Sequence, residues 1–146
     1  MGRLIDGVLV TPQKRIQHPK GDIIQMMKSS EEGYVGFGEA YFSSVIYNTI
    51  KGWKRHRSMT LNLLVPTGEV RFVIYDDREK SSTYGGVMEV NLDHNNCSRL
   101  TIPPMLWVAF KGIGTGLNLI LNIANIEHDP EEADYAELTD FLYSWV

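Results

Sequence analysis

Five of the eight residues in the run Ile50-Lys51-Gly52-Trp53-Lys54-Arg55-His56-Arg57 are basic, and the apolar stretch Met59 to Val65 follows at once. Side chains two apart on a strand share a face, so Lys54 and His56 are predicted to point the same way. An imidazole titrates near neutrality, and repulsion from Lys51, Lys54, Arg55 and Arg57 would keep His56 neutral and ready to accept a proton. The cations around it suit an anion. A solvated, charged hairpin is the plainer alternative, since charge runs are usually solvated faces, but Gly52 and Trp53 in the middle argue against a loose basic tail.

Other reactive side chains make weaker cases. His18 beside Pro19 belongs to a loop, and His94 and His128 fall in turns. Cys97 is the only cysteine, so it forms no internal disulfide, and no activating partner stands beside it. The glycines between Gly112 and Gly116 lack the strand-to-helix setting of a phosphate loop and read as a turn. Trp53, Trp107 and Phe110 could stack on a base or a sugar, although aromatic residues in a barrel more often pack its core.

The elements that must position these groups are strands. Arg3 to Thr11, Gly36 to Tyr47, Met59 to Val65, Glu69 to Tyr75, Val87 to Leu92, Arg99 to Ile102, Leu106 to Lys111 and Leu117 to Ile123 are short apolar runs between turn residues. Asp22 to Lys28 is too short for its period to separate strand from helix. Pro66-Thr67-Gly68 and the Gly112–Gly116 segment each predict a hairpin. Asp129-Pro130-Glu131-Glu132 carries the cap, first-turn proline and early acids of a short terminal helix. About nine strands and almost no helix predict a sandwich or barrel in a single domain spanning 1-146.

Charge narrows the partner. The net charge is -4, yet Glu127 to Val146 holds seven acids and no Lys or Arg, which leaves residues 1 to 126 with 14 basic against 11 acidic side chains. That excess is too small and scattered for a duplex-binding face, and is enough for one small anionic ligand. The chain opens without an apolar signal core, and no apolar run approaches the ~18 residues of a membrane span, so no membrane attachment and a cytoplasmic location are expected.

Several of these segments, taken in order, resemble one family. Lys20-Gly21-Asp22, Phe37-Gly38-Glu39-Ala40-Tyr41-Phe42, Lys51-Gly52-Trp53, Gly68-Glu69-Val70, Tyr75-Asp76-Asp77-Arg78, Ser82-Thr83-Tyr84-Gly85, Leu100-Thr101-Ile102-Pro103-Pro104 and Trp107-Val108-Ala109-Phe110 resemble the dTDP-4-dehydrorhamnose 3,5-epimerase family, over roughly residues 5 to 130. The resemblance implies an all-β, cupin-type jelly-roll barrel, usually a homodimer. It also implies a cytoplasmic enzyme of surface-polysaccharide and deoxysugar synthesis that acts on a nucleotide-sugar without metal or organic cofactor.

Residue by residue, the family's Arg-Gly-Leu-His segment corresponds to Lys51-Gly52-Trp53-Lys54. Lys51 keeps the cation for the diphosphate, Lys54 stands where the base belongs, and His56 would serve as base in a shifted register. The family's tyrosine acid falls near Asn122, and a further histidine is replaced within Pro103 to Val108. Lys20, Trp53, Arg57, Asn62, Tyr75 and Asn122 complete the expected substrate-binding set. The places that hold a metal in metal-dependent cupins read Lys54, His56, Leu61 and Val108, one ligand of four.

Epimerisation beside a ketone needs a base for a weakly acidic C–H and an acid that returns a proton from the opposite side. The acid would then come from a residue such as Tyr41, Tyr47 or Tyr75, or one centre alone is inverted, or the activity is gone. The main alternative is a non-catalytic cupin that binds a nucleotide-sugar or a partner enzyme. A cupin binding some unrelated small molecule is a third reading.

Overall fold

In the computed structural model, which describes residues 4–146, the short apolar runs form strands packed as two facing antiparallel sheets. One sheet is ordered β1 (Leu9–Pro12), β9 (Ser98–Ile102), β6 (Leu61–Thr67), β11 (Leu119–Ala124), β4 (Glu39–Ser44). The other is ordered β12 (Ala133–Tyr135), β5 (Ile50–His56), β10 (Trp107–Gly112), β7 (Glu69–Tyr75), β8 (Val87–Asp93). A separate hairpin joins β2 (Arg15–Ile16) to β3 (Ile23–Ile24). This is the all-β jelly-roll architecture expected from the sequence, closed at its end by single 3-10 turns at Pro130–Glu132 and Leu138–Asp140.

Alternation along the strands builds two apolar layers. Leu63, Val65, Val70, Phe72, Ile74, Leu92, Leu100, Ile102 and Ile120 fill the space between the sheets. On the outer face of the second sheet, Trp53, Val73, Trp107 and Ala109 form a separate cluster, covered by Ala136, Leu138, Phe141, Tyr143 and Trp145 of the chain's end. Phe141 sits at its centre, with ring centroids 5.4 Å from Trp53, 5.2 Å from Trp107 and 4.8 Å from Tyr75. The second half of β7, Phe72-Val73-Ile74-Tyr75, is therefore covered on both faces, in keeping with its unbroken apolar run.

The structure overturns both expected hairpins. β6 and β7 lie in different sheets, and so do β10 and β11. The glycine-bearing turns carry the chain across the sandwich instead of back along one sheet. Buried Asn118 holds the two crossings together: its Oδ1 accepts from Glu69 N (3.0 Å), and its Nδ2 donates to Val45 O (3.1 Å) and Gly114 O (2.8 Å). Gly68 has φ +84 and a side chain there would run into Leu117 and Asn118, so only glycine fits this corner. Of the expected Arg3 to Thr11 strand, Leu9 to Thr11 are in β1, and Arg3 lies outside the described residues.

Loops are fixed to the sheets by buried charge. Asp76 is fully buried and accepts from Arg78 Nε (2.9 Å), Ser81 Oγ (2.6 Å) and Thr83 Oγ1 (2.6 Å). Burial alone would push its pKa up, but hydrogen bonds from Arg78, Ser81 and Thr83 hold it well below the usual carboxylate range. Arg99, also fully buried, donates to Met26 O (3.0 Å) and Glu32 O (3.1 Å) and pins the preceding loop. Asp76→Asn should destabilise the fold by about 3 kcal/mol, because it leaves Arg78 without its carboxylate. Urea unfolding at pH 7 reads this loss. Because the folded-state pKa is depressed, the difference between parent and variant should shrink as pH falls below about 4, the unfolded carboxylate value.

Candidate active site

β5 reaches the cavity through an irregularity. Val108 pairs with Lys54 and Phe110 with Lys51, so β5 carries one residue more than β10 across this stretch. The bulge sits at Gly52, where φ is +146 and an added Cβ would collide with Ala109. In a regular strand, residues three apart face opposite sides. With the bulge, Lys51, Lys54 and His56 all line one cavity of about 370 Å³ between the sheets.

The three form a gradient along the strand. His56 is buried at 7% exposure, Lys54 is half-buried and Lys51 is exposed. Lys51 Nζ donates to Ser44 O at 2.7 Å. Between them the cavity walls are largely apolar, from Leu61, Leu63, Phe72, Val108, Phe110 and Ile120.

His56 is oriented by a residue that its motif does not contain. β12 pairs antiparallel with β5, and the 3-10 turn before it brings the Glu132 carboxylate onto His56 Nδ1. The other carboxylate oxygen accepts from Ser58 N (3.1 Å) and Met59 N (3.2 Å). With a carboxylate as acceptor, Nδ1 carries the proton and Nε2 keeps its lone pair. Burial lowers the His56 pKa, Glu132 opposes by hydrogen bond and charge, and Lys54 and His128 lower it further. Burial also works against the Glu132 carboxylate, but His56 and the two backbone N–H groups hold its pKa below the ordinary value. The pair at neutral pH is thus a neutral imidazole donating to an ionised carboxylate.

The expected repulsion by Arg55 and Arg57 is not the cause. Arg55 projects from the outer face, over the Trp107 ring at 4.6 Å, and bonds Asp134 Oδ2 through Nε (3.0 Å) and Nη2 (2.8 Å). Arg57 lies past the strand end and donates to Asp134 Oδ1 at 2.6 Å. Those bonds, from Arg57 first and then Arg55, bring the Asp134 pKa down to about 2.

The facing sheet supplies a hydroxyl. Tyr41 on β4 and Asn122 on β11 are register partners and both line the cavity. Asn122 Oδ1 accepts from Asn62 N (3.1 Å), which leaves Nδ2 to donate to the Tyr41 hydroxyl oxygen (3.0 Å). The Tyr41 O–H is thereby free to donate in turn.

Several expected binding residues stand elsewhere. Asn62 is buried behind the cavity wall, where it accepts from Thr101 Oγ1 (2.6 Å) and donates to Gly33 O (3.1 Å). Tyr75 faces the outer aromatic cluster, because Phe72 and Ile74 take the inner face of β7. Arg57 is spent on Asp134, and Lys20 is exposed near the tip of the β2–β3 hairpin. Trp53 borders the cavity, but its indole is packed against Phe141 and Trp145. Glu132 and Tyr135, missed in the motif, were signalled only by the acid-rich end of the chain, which pairs with the basic strand. Among the described residues no group of three His, Cys, Asp or Glu side chains could hold a metal ion.

Solved structures share this architecture. A dTDP sugar isomerase from Desulfovibrio desulfuricans G20 is 34% identical, with 93% of this chain and 87% of that one covered, at a TM-score of 0.89. A dTDP-4-dehydrorhamnose 3,5-epimerase from Elizabethkingia anophelis NUHP1 has the same fold at 14% identity, covering 96% of this chain and 80% of that one, with a TM-score of 0.82. The chain belongs to the dTDP-4-dehydrorhamnose 3,5-epimerase family, as a divergent member. Among curated relatives of this family member, a probable low-salt glycan biosynthesis epimerase, Agl13, from Haloferax volcanii is 29% identical over 117 residues, 79% of this chain and 75% of the relative. No family model matches the chain.

His56 should titrate below the ~6.5 of a free imidazole. NMR of the His56 ring through a pH series reads the midpoint. Glu132→Gln should lower it further, since the carboxylate opposes the shift.

Proposed function

We propose that the protein is a metal-independent epimerase or isomerase of a nucleotide-linked 4-keto-6-deoxyhexose, of the dTDP-sugar type, in polysaccharide or deoxysugar biosynthesis. The observation that carries this is the pair of proton-handling groups on opposite walls of one cavity. His56, neutral and oriented by Glu132, projects from one sheet. Tyr41, held through its oxygen by Asn122, projects from the other. A sugar ring between the sheets meets a base on one face and an acid on the other, which is what inversion next to a ketone requires. Tyr41 therefore fills the role left open when asparagine replaces the family's tyrosine at 122. Relatives support the substrate class: a dTDP sugar isomerase shares a third of the sequence, and a curated relative is a glycan-biosynthesis epimerase.

Lys51, exposed at the rim, is placed to hold the diphosphate as the sugar enters. The donor set argues against a catalytic metal, because an ammonium and the Val108 side chain occupy two of the places a metal-dependent cupin uses. The cytoplasm is the location the lone Cys97 fits.

The same reading includes a homodimer. β4 is the edge of its sheet, and Val35, Phe37, Phe42, Ile46, Tyr47 and Leu117 are exposed on or near it. A second copy pairing there covers both the apolar side chains and the open strand edge. Light scattering at micromolar concentration should give twice the 16.6 kDa chain mass; a monomer removes this part.

The decisive experiment is solvent deuterium wash-in, followed by NMR of a dTDP-4-keto-6-deoxyhexose in D2O. The parent protein should exchange a proton next to the ketone, and His56→Asn should abolish exchange while still binding dTDP. Exchange that survives in His56→Asn removes His56 as the base. Binding of dTDP with no exchange in the parent favours the non-catalytic binding module. Lys51→Ala should weaken dTDP binding at low salt, and the loss should shrink as salt screens the charge.

A further inference from the structure

The cavity contains a cation that neither the base, the acid nor the rim explains. Lys54 lies on β5 between exposed Lys51 and buried His56 and lines the same cavity. The carboxylates nearest in register are already committed, Glu132 to His56 and Asp134 to Arg55 and Arg57. Among the described residues none forms an ion pair with Lys54. Its ammonium instead stands 5.5 Å from the centre of the Tyr135 ring, its cross-strand neighbour. A ring face leaves the cation available to an anion in the cavity. Val108 is its register partner, and Leu61 and Leu63 line the same cavity, so an electrostatic contact inside is screened less than one on the open surface.

We infer that Lys54 is the electrophile of the reaction, the group that receives the negative charge developing on the sugar's ketone oxygen. The inference rests on the epimerase reading above and adds a third catalytic residue to it. The step balances as follows. His56 Nε2 takes the proton from the carbon beside the ketone, the C–H electron pair becomes the new C=C bond, and the carbonyl π pair moves onto oxygen. The Lys54 ammonium keeps its proton and donates a hydrogen bond to that enolate oxygen. The Tyr41 hydroxyl then returns a proton to carbon from the other face as the carbonyl re-forms. The imidazolium and phenolate left behind exchange protons with solvent.

The placement of the charge explains why a lysine is useful where the family has its base. Lys54 disfavours protonated His56 before substrate binds, which keeps the base free. Once the proton has moved, the enolate oxygen adds a negative charge between ammonium and imidazolium and offsets their repulsion. A second imidazole could not supply that fixed positive charge at neutral pH. Preorganised charge of this kind is typically worth about 10²–10³ in rate.

The test uses the full chain, a dTDP-4-keto-6-deoxyhexose and dTDP itself, which has a diphosphate but no ketone. Lys54→Met should lower the rate of deuterium exchange by about 10²–10³-fold, leave dTDP affinity unchanged, and raise the His56 titration midpoint measured by NMR. Lys54→Arg, which keeps the charge, should recover part of the exchange rate. Loss of dTDP affinity in Lys54→Met, with exchange at saturation retained, overturns the inference and makes Lys54 a second diphosphate ligand. Unchanged exchange and affinity overturn it as well. Absence of exchange by the parent protein overturns the epimerase reading and this inference together, whereas exchange by the parent that Lys54→Met retains overturns the electrophile alone. The His56 NMR signal in each variant shows that the cavity has folded.

Discussion

The arrangement depends on β12 lying against β5. One strand concentrates positive charge, and the end of the chain concentrates negative charge. Antiparallel pairing of Ala133 with His56, Asp134 with Arg55 and Tyr135 with Lys54 distributes one against the other. Asp134 neutralises Arg55 and Arg57 on the outside, while Glu132 reaches His56 on the inside. Lys51 and Lys54 are the cations of this run with no carboxylate partner among the described residues, and both line the cavity. A run that reads as a uniform basic patch is thus divided into a neutralised outer face and a cationic inner one.

The same segment closes the fold. After β12 the chain crosses the outer face of the second sheet, and Trp53 N and O both bond Ala136 (3.1 Å each). Phe141 and Trp145 then cover the Trp53 ring. Trp53 sits directly between Gly52, which makes the bulge, and Lys54, which uses it. Packing on one face of β5 therefore fixes the backbone that presents the reactive groups on the other. Buried aromatic contacts are well suited to this, because a close-packed layer transmits little slack.

The class of fold was legible in the sequence because strand runs and turn residues are local signals. Which sheet each strand joins was not. Pro66-Thr67-Gly68 has the composition of a hairpin turn, yet the contacts that decide its direction come from Asn118, some fifty positions away, through Glu69 N and Val45 O. The site was legible in the same uneven way. The two-residue spacing put Lys54 and His56 on one face, and both line the cavity; Lys51, three residues from Lys54, joins them only through the bulge, which no local signal announced. Arg57 and Tyr75 lie outside the cavity, because the strand end and the pleat turn them outward. Glu132 was hidden because its role arises from pairing between strands 76 positions apart, and locally it looks like an acid in a helix's first turn. Tyr41 was one of three tyrosines the sequence could not rank; of the three it alone lines the cavity, where Asn122 holds its oxygen.

Nothing in the bulge, the carboxylate or the tyrosine is useful unless the sugar lies between the two sheets with its ketone side toward β5. A crystal structure of the complex with a dTDP-sugar tests that placement most directly. The account predicts the ring carbon beside the ketone within about 3–3.5 Å of His56 Nε2, a distance suited to proton transfer, with the Tyr41 hydroxyl on the opposite ring face. A sugar bound outside the cavity, or both groups on one face of the ring, would contradict it.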